Sequence, residues 1–445
     1  MKAFKAYDIR GVYNRDFNKD DVYRVGFFLP GLLGAKTILV GRDVRESSEE
    51  VFESLCRGIT DAGADVHSIG LSTTPMVYFA TAYLGYEGSV MITASHNPKQ
   101  YNGLKISRAK ALPVGAETGL KELEKMVIED EVVLAEEKGT LTSIDVKHQY
   151  LEFLKGYAPD TSDLDLSVDC SNGMANLLIK DLIGEEPHYL YDTLDGTFPN
   201  HEPNPLEEEN VEDLKAAVIA NKSDLGIIFD GDADRVMFVD ERGRYIQPDI
   251  ITGVIASHFL KSEKGYILID IRTSRSVSEY LERLGADVFT WKVGHSNAKA
   301  KMKELPAIFG GELAGHYYFR DFYNCDSGLL ACLIVLQVAV ALKKEGRQIS
   351  DLIDDMVVYA NSSELNFKIE DKEGAMAALK ERYTTKETPT KVLDFDGYRI
   401  EFEDWWFNVR PSNTEPYLRL VVEARSDEML EEKLAELKVI LSTFE

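Results

Sequence analysis

The sequence predicts an α/β protein in which three alternating α/β units precede a smaller C-terminal α+β domain. The chain has 445 residues, 44% of them hydrophobic, which is enough for about three domains with buried cores. Short β-rich runs alternate with helical stretches through most of the chain, as in mostly parallel sheets with helices on their faces. From about residue 368 this alternation gives way to a helix, two β-like runs and a closing helix, which indicates a separate domain.

The predicted elements follow one another along the chain. In the first unit they are a strand at 37–40, a helix at 47–62 and a strand at 89–93. In the second they are strands at 166–169 and 225–230 and a helix at 211–221. In the third they are strands at 266–270 and 288–291 and a helix at 274–284, and the last domain has β-like runs at 398–402 and 418–424. The sequence GADV occurs at 63–66 and at 285–288, each time between a helix and a strand, as repeated units would show.

The charge balance restricts the kinds of partner. Fifty Lys and Arg against 76 Asp and Glu give a net charge of −26, which opposes general binding to nucleic acids or anionic membranes. An anionic substrate therefore requires a local cluster of positive groups. The first residues lack an apolar core of signal-peptide length, and the longest apolar run, 328–342, is too short to span a bilayer. With four cysteines and no CxxC pair, these features predict a cytoplasmic protein with reduced thiols.

A serine follows the predicted strand 89–93. The segment 93–98 reads TASHNP, and Ser95 would lie at the carboxyl end of a parallel strand, where open α/β sheets bind ligands. Beside His96 its hydroxyl is a candidate nucleophile, because a serine needs a neighbouring base or metal to become reactive. The alternative is a turn capped by Ser and Asn ahead of a proline.

Three carboxylates follow the second unit's strand in the segment 230–235, which reads DGDADR. Asp230, Asp232 and Asp234 stand at alternate positions of a tight turn and would repel one another without a hard cation to bind. An EF-hand is excluded because Arg235 occupies the position of its required glycine. The sequence therefore favours Mg²⁺, which keeps few protein carboxylates and completes its shell with water or phosphate oxygens.

Two later segments also have the composition of ligand-binding loops. The segment 410–416, RPSNTEP, combines an arginine with hydroxyl, amide and backbone donors, which suits a phosphate dianion. The segment 310–316, GGELAGH, follows a strand-like stretch, and Glu312 there would accept hydrogen bonds from sugar hydroxyls. The alternatives are an ordinary polar turn for the first segment and a glycine bend for the second.

Together these segments resemble the α-D-phosphohexomutase superfamily, in its phosphomannomutase/phosphoglucomutase branch. The resemblance spans essentially the whole chain, in order and spacing, through the segments 7–11, 93–98, 230–235, 311–316 and 410–416. It implies three related α/β domains with mixed, mostly parallel sheets and a smaller C-terminal α+β domain, heart-shaped around a central cleft. The domains expected from it are 1–142 with the phosphoserine loop, 143–243 with the metal loop, 244–360 with the sugar loop and 365–445 with a phosphate loop.

The resemblance also implies a role for individual residues. Ser95 matches the serine carried as phosphoserine, and it would complete a Mg²⁺ site, one ion per chain, with Asp230, Asp232 and Asp234. Acid/base help and phosphoryl stabilisation are implied for Lys105, His96, Arg10 and Arg235. Substrate binding is implied for Tyr7, Arg272, His295, Glu312, His316, Arg410, Ser412, Asn413 and Thr414.

The implied reaction is the interconversion of hexose 1-phosphate and hexose 6-phosphate through a hexose 1,6-bisphosphate. Mannose phosphates are favoured and glucose phosphates are the second substrate, in a monomer or weak dimer that binds neither nucleic acid nor membrane. In one departure from the family, Ala314 stands where the sugar loop usually carries serine, which removes a hydroxyl contact to the substrate. The alternatives are a phosphoglucosamine mutase, a metal-dependent sugar phosphatase and a non-catalytic sugar-phosphate binding protein.

Overall fold

A computed structural model of the chain describes residues 1–385, 387–412 and 417–444, which form four sheets flanked by helices. The strands of the first sheet are β1 (Ile9–Val12), β2 (Thr37–Arg42), β3 (Asp65–Leu71), β4 (Gly88–Ile92), β5 (Tyr101–Arg108), β6 (Leu112–Pro113) and β7 (Leu141–Ser143). Their order is β1-β5-β4-β2-β3-β7, with β6 beside β5. The accompanying helices are α1 (Lys19–Leu33), α2 (Ser48–Asp61), α3 (Thr74–Tyr83) and α4 (Leu120–Glu129).

The second and third sheets have five strands each, counted over the described ranges. The second is built from α5 (Lys147–Lys155), β8 (Leu166–Asp169), α6 (Ile179–Ile183), β9 (His188–Leu190), α7 (Glu212–Asn221), β10 (Leu225–Phe229), β11 (Val236–Asp240) and β12 (Tyr245–Ile246). The third is built from α8 (Pro248–Leu260), β13 (Tyr266–Asp270), α9 (Arg275–Arg283), β14 (Asp287–Trp291), α10 (His295–Glu304), β15 (Phe309–Gly311), β16 (Tyr317–Phe319), β17 (Cys325–Asp326), α11 (Gly328–Lys344) and α12 (Ile349–Met356).

These three sheets share one local topology. A strand runs parallel to one neighbour and antiparallel to the strand that follows it in the chain: β4 with β2 and β5, β10 with β8 and β11, and β15 with β13 and β16. Each unit therefore has an equivalent hairpin loop at the carboxyl end of a parallel strand, the edge where α/β sheets bind ligands. The three loops contain the segments 93–98, 230–235 and 312–316, so the sequence motifs occupy the same place in each unit.

The fourth sheet is antiparallel throughout its described pairings. Its elements are β18 (Ala360–Asn361), β19 (Leu365–Phe367), α13 (Lys372–Thr385), β20 (Lys391–Leu393), β21 (Tyr398–Glu401), β22 (Trp405–Pro411), β23 (Leu418–Ala424) and α14 (Asp427–Leu441). The predicted fold class, three α/β units with mixed sheets and a C-terminal domain of a different kind, is confirmed.

The two predicted β-like runs correspond to β21 and β23, and the other strands of the fourth sheet, including the central strand β22, are not predicted. The sequence pattern predicts a loop at Arg410, between two β-like runs, whereas Arg410 lies inside β22, a central strand of the sheet. Residues 405–410 are all buried, so the strand shows none of the polar–apolar alternation by which a half-exposed strand is recognised.

The hydrophobic core also divides along the chain. One large cluster of buried side chains spans the second and third sheets and includes α3 and some side chains of β2, β3 and β4, while other buried residues of the first unit form a second core. The fourth sheet packs against α13 and α14 in a core of its own. In the part of the chain that the structure describes, no helix has both the length and the hydrophobicity of a membrane span; the apolar run 328–342 lies in the buried helix α11.

Candidate active site

The hairpin loops of the first two units meet at Ser95. The Ser95 hydroxyl donates a hydrogen bond to Asp230 Oδ2 at 2.8 Å, and Arg235 Nη2 lies 3.4 Å from the same hydroxyl oxygen. Gly231 permits this approach, because a Cβ atom there would lie 2.6 Å from the Ser95 carbonyl oxygen. The third loop joins them through a backbone bridge between Arg235 and His316. Two segments far apart in sequence thus meet at one buried hydroxyl, and a third segment adjoins them through Arg235.

The backbone at Ser95 is held in an unusual conformation. Its φ is +49°, in the left-handed region that non-glycine residues rarely adopt and that clusters at functional sites. The buried Arg45 fixes this turn by donating to the carbonyl oxygens of Ser95, Asn97 and Pro98 at 2.7, 2.6 and 2.8 Å. Arg45 is not among the residues predicted from the sequence, where its one visible signal is the charged pair Asp43 and Arg45 just after the carboxyl end of β2.

The carboxylates of Asp230, Asp232 and Asp234 are buried, and one oxygen of each lies within 4.8 Å of the others. Lys105 Nζ bridges two of them, at 2.8 Å from Asp232 Oδ2 and 2.5 Å from Asp234 Oδ2. The Oδ1 atoms of both residues are buried with no hydrogen-bond partner among the described residues. Buried, unsatisfied carboxylate oxygens are the ligands that Mg²⁺ prefers, so these residues fit a divalent cation.

Burial and neighbouring charges shift the pKa values of these groups in opposite directions. Burial and the charges of Asp234 and Asp232 raise the pKa of Asp230. Burial would also raise the pKa of Asp232, but the Lys105 ammonium outweighs it and lowers that pKa. Burial opposes the charged form of Lys105 as well, yet Asp232 and Asp234 raise its pKa. The Lys105 ammonium therefore stabilises the charged form of Asp232, whereas burial opposes the charged form of Asp230.

Two further groups from the first unit complete this side of the site. Arg10 donates to Asn97 Oδ1 at 3.0 Å and to Asp8, while its Nε atom is buried without a partner in the described ranges. His96 Nδ1 lies 3.4 Å from Ser95 Oγ. Burial, followed by the charges of Arg235 and Arg10, holds the pKa of His96 well below its usual value, so its imidazole is neutral.

The third unit contributes the loop around Glu312. The buried Glu312 carboxylate accepts hydrogen bonds from the Gly294 backbone N–H and from the Tyr318 hydroxyl, both at 2.6 Å. His295, the first residue of α10, packs edge-on against Tyr7 with ring centroids 5.5 Å apart. A carboxylate and aromatic rings together form a surface with both polar and apolar parts, as in pockets that bind small molecules. Ala314 offers no hydroxyl to this surface.

A second cationic group lies between the third and fourth units. Glu364 accepts hydrogen bonds from Arg272 at 3.1 Å and from Arg419 at 2.9 Å, and Arg410 Nη2 is 3.9 Å away. Arg410 Nε and Nη1 are buried and have no hydrogen-bond partner among the described residues. Buried guanidinium donors without an acceptor are suited to an anion such as a phosphate. Glu364 belongs to no motif and is not among the site residues predicted from the sequence.

The arginines around Glu364 are linked to the Glu312 loop and lie near Tyr7. Asp270, which pairs with Arg272 at 2.7 Å, also accepts the backbone N–H of Leu313 in the Glu312 loop at 2.8 Å. Arg410 and Glu312 both act electrostatically on the Tyr7 hydroxyl. Of the residues predicted to bind phosphate beside Arg410, Ser412 is among those that the structure describes. Asn413 and Thr414 lie outside the described residues, so their predicted roles stay predictions.

A buried serine facing carboxylates and cations, with arginines set apart from it, defines an enzyme that handles an anionic group. Family models of phosphoglucomutase/phosphomannomutase match all four units: alpha/beta/alpha domain I at 1–132, domain II at 148–243, domain III at 247–359 and the C-terminal domain at 364–438. The chain therefore belongs to the phosphoglucomutase/phosphomannomutase family.

Individual relatives match over nearly their whole length. A phosphomannomutase of Salmonella typhimurium is 37% identical, with 96% of each chain covered. A protein of Xanthomonas campestris described as phosphohexose mutases is 37% identical, with 99% of each chain covered. The crystal structure of a phosphoglucomutase/phosphomannomutase family protein from Burkholderia thailandensis has a TM-score of 0.90 at 30% identity, covering 99% of this chain and 97% of that one.

Proposed function

We propose that this enzyme interconverts hexose 1-phosphate and hexose 6-phosphate, with mannose phosphates preferred and glucose phosphates as the second substrate. The proposal rests on two observations: the Ser95 hydroxyl lies 2.8 Å from Asp230 and 3.4 Å from Arg235, and Arg410 has two buried nitrogens without a hydrogen-bond partner among the described residues. The residues around Ser95 are suited to transfer a phosphoryl group, and the arginines around Arg410 are suited to hold the phosphate that does not react. The names of the relatives, phosphomannomutase and phosphohexose mutases, support the same reaction.

In this proposal Ser95 carries the phosphoryl group in the resting enzyme. The free sugar hydroxyl attacks phosphorus, its new P–O bond forms as the bond to Ser95 Oγ breaks, and the proton of the hydroxyl passes to a base. The hexose 1,6-bisphosphate then turns around, and Ser95 takes the other phosphate by the reverse steps. Of Lys105, Arg10, His96 and Arg235, His96 is the neutral group and the candidate for proton transfer beside Ser95; the three cations stabilise the phosphoryl oxygens.

The metal fits the same loop. Asp230, Asp232 and Asp234 would hold one Mg²⁺ per chain together with an oxygen of phosphorylated Ser95. When bound, the ion would neutralise part of the roughly −1.5 to −2 charge of a phosphoserine. Phosphoryl transfer needs mainly such positioning and charge neutralisation, which the buried carboxylates and cations of this site are built to provide.

Arg410 would bind the unreacting phosphate in both orientations of the sugar, with Ser412, Asn413 and Thr414 beside it. Tyr7, Arg272, His295, Glu312 and His316 would contact the rest of the substrate. The fourth unit has its own core, and the segment 359–364 that leads into it is the proposed hinge for the turn of the bisphosphate. The domain limits we propose are 1–142, 143–243, 244–360 and 365–445.

The substrate assignment is tested by a coupled assay on mannose, glucose and glucosamine 1-phosphates. We expect the highest kcat/KM for mannose 1-phosphate, a lower value for glucose 1-phosphate and little turnover of glucosamine 1-phosphate. A preference for glucosamine 1-phosphate would contradict the proposal. Release of inorganic phosphate in place of the isomer would indicate a phosphatase.

Replacing Arg410 with alanine should raise KM for the 1-phosphate and the 6-phosphate alike, by roughly 10- to 100-fold, because one guanidinium serves both isomers. A hydrogen bond to a charged group contributes about 1.5–3 kcal/mol, and a fork of two contributes more. Arg425→Ala is the matched control, since Arg425 is an exposed arginine of the same unit paired with Asp404. An increase in KM for one isomer only would exclude a shared phosphate site.

A further inference from the structure

A loop of the second unit that belongs to none of the predicted motifs packs against the first unit. Residues 195–204, which read DGTFPNHEPN, form this irregular segment between β9 and α7, and we call it the support loop. Gly196 approaches the backbone of Val44 so closely that a Cβ atom there would overlap the Val44 carbonyl oxygen. Phe198 is 8% exposed and has a φ of +48°, in the left-handed region where non-glycine residues are strained. The support loop is therefore fitted tightly onto the first unit, beside Arg45.

Phe198 covers one face of the guanidinium that fixes the Ser95 turn. The centroid of its ring lies 5.0 Å from Arg45 Cζ. The N–H groups of Arg45 lie in the guanidinium plane and make five hydrogen bonds, with the Asp43 carboxylate and the carbonyl oxygens of Ser95, Asn97, Pro98 and Tyr101. The edges of the plane are thus occupied. An aromatic ring on its face then fixes the remaining freedom of the group, which is its tilt.

The support loop also reaches the metal loop. Pro203 packs against Gly231, where a Cβ atom would lie 3.3 Å from Pro203 Cβ. The Asn200 amide donates to Asn172 Oδ1 at 2.7 Å. Two residues further on, the backbone N–H of Met174 donates to the Gly231 carbonyl oxygen at 2.9 Å. One loop of the second unit therefore touches both the turn that carries the serine and the turn that carries the aspartates.

A buried histidine–aspartate pair fastens the support loop to its own unit. His201 Nδ1 lies 2.8 Å from the Glu202 carbonyl oxygen, and His201 Nε2 lies 3.1 Å from Asp169 Oδ2. The side chains of His201 and Asp169 are 8% and 0% exposed. A carbonyl oxygen only accepts, so Nδ1 is a donor, and the second contact needs another proton on Nε2 or on the carboxyl group. The pair therefore holds one proton more than a neutral imidazole and a carboxylate would.

The charges around the pair favour this extra proton. Burial would lower the pKa of His201, but the hydrogen bond and charge of Asp169 outweigh burial and raise it. Burial also raises the pKa of Asp169. Tyr191 packs edge-on against the imidazole at 5.3 Å, and its hydroxyl donates to Asp213 of α7, which adds a second negative charge facing the pair. Loss of the proton would leave a carboxylate against a ring lone pair and weaken the fastening.

We propose that the support loop positions the phosphoryl-transfer site: Phe198 is a positioning residue that holds Arg45, and through it the backbone of Ser95, while the His201–Asp169 pair fastens the loop. The inference rests on the proposed function, because that function places Ser95 in the reaction. It extends the function by assigning part of the geometry of Ser95 to a loop that contains none of the proposed site residues.

The first test is kinetic and uses Phe198→Leu, which removes the aromatic face and keeps an apolar side chain. Phe153→Leu is the matched control, since Phe153 is a partly buried phenylalanine of the same unit. We expect kcat to fall by roughly 10- to 30-fold with KM within about threefold of the control, because the serine is displaced and the substrate-binding groups are not. Phe198→Tyr keeps the ring face and should retain most of the activity.

A double-mutant cycle separates positioning from a general loss of stability. In the Arg45→Lys background, Phe198→Leu should add little further loss of kcat, because the ring acts through the guanidinium. Fully additive effects of the two changes, or a kcat of Phe198→Leu equal to that of Phe153→Leu, would overturn the proposal.

The proton of the fastening pair predicts how stability depends on pH. A group whose pKa is raised in the folded state stabilises it at low pH, and this contribution is lost as the pH rises through the folded pKa. The Tm advantage of the wild type over His201→Gln should therefore be present at about pH 6 and shrink towards about pH 9. His148→Gln, at an exposed histidine of the same unit, should show no such trend. A constant advantage of the wild type across this range would overturn the role of the pair.

The last test needs no activity. Hydrogen–deuterium exchange is measured on a peptide covering 93–101, in which the Asn97 and Tyr101 amides donate within the turn. Exchange there should be several-fold faster in Phe198→Leu than in the wild type, and unchanged in Phe153→Leu. Equal exchange in Phe198→Leu and the wild type would overturn the proposal. If exchange rises as expected and the wild type has no mutase activity, the proposed function fails while the positioning by Phe198 stands.

Discussion

Replacing Ser95 with alanine is expected to lower mutase turnover by about 10⁴-fold or more, with substrate binding still measurable. The loss is large because Ser95 Oγ takes part in both halves of the proposed reaction. It donates the phosphoryl group to one sugar oxygen and accepts the phosphoryl group from the other. Binding is retained because Arg410, Arg272 and Glu312, which would hold the substrate, do not contact Ser95. Turnover is measured with the coupled assay, and binding by calorimetry with mannose 6-phosphate.

The matched control is Ser107→Ala, which removes another buried hydroxyl of the first unit, in β5. This variant should keep activity within a few-fold of the wild type. Near-normal turnover by Ser95→Ala would exclude Ser95 as the phosphoryl carrier. A loss of both turnover and binding in Ser95→Ala, with unchanged thermal stability, would instead place Ser95 in the substrate site.

Removing divalent cations should reduce turnover by at least about 100-fold, and Mg²⁺ should restore it. The carboxylates of Asp230, Asp232 and Asp234 are buried together, and the Oδ1 atoms of the last two have no partner among the described residues. Ca²⁺ should restore much less activity, because it favours longer bonds and more ligands than Mg²⁺. The measurement is turnover after chelation and dialysis, with each ion added back.

A readout independent of catalysis comes from thermal unfolding. A cation that binds only the folded state stabilises it by mass action, so Mg²⁺ should raise Tm of the wild type. Asp234→Asn should diminish this shift, and Glu209→Gln, an exposed acid of the same unit, should leave it unchanged. Indifference of turnover to the chelator would remove the role assigned to the three aspartates.

The parts of the site that sequence reasoning finds are those carried by continuous segments at strand ends. Ser95 and the segment 230–235 each follow a predicted strand, so the topology of parallel sheets brings them to one edge. What the sequence does not reveal is that these loops and the Glu312 loop are equivalent hairpins of three sheets. That equivalence rests on antiparallel partners of β4, β10 and β15, and strand pairing leaves no local mark in the sequence.

The residues that hold the site in place are not predicted from the sequence, for a different reason. Arg45 and Glu364 are single charged residues, and a single charge in a sequence is most often a solvated one. Their roles arise from burial and from partners distant along the chain: Arg45 contacts the Ser95 carbonyl fifty residues on. The strand β22 is missed because both of its faces are buried. Tertiary packing creates these environments, so the roles of these residues are not visible in the local sequence.

The most direct test of Ser95 as the phosphoryl carrier is to measure phosphoryl transfer to the enzyme itself. Dephosphorylated protein is incubated with hexose 1,6-bisphosphate labelled in its phosphates, and the labelled peptide is located by mass spectrometry. We expect one phosphoryl group per chain, on Ser95, and its quantitative passage to added hexose monophosphate. Label that stays off the protein, settles on another residue, or leaves only as inorganic phosphate would contradict the account.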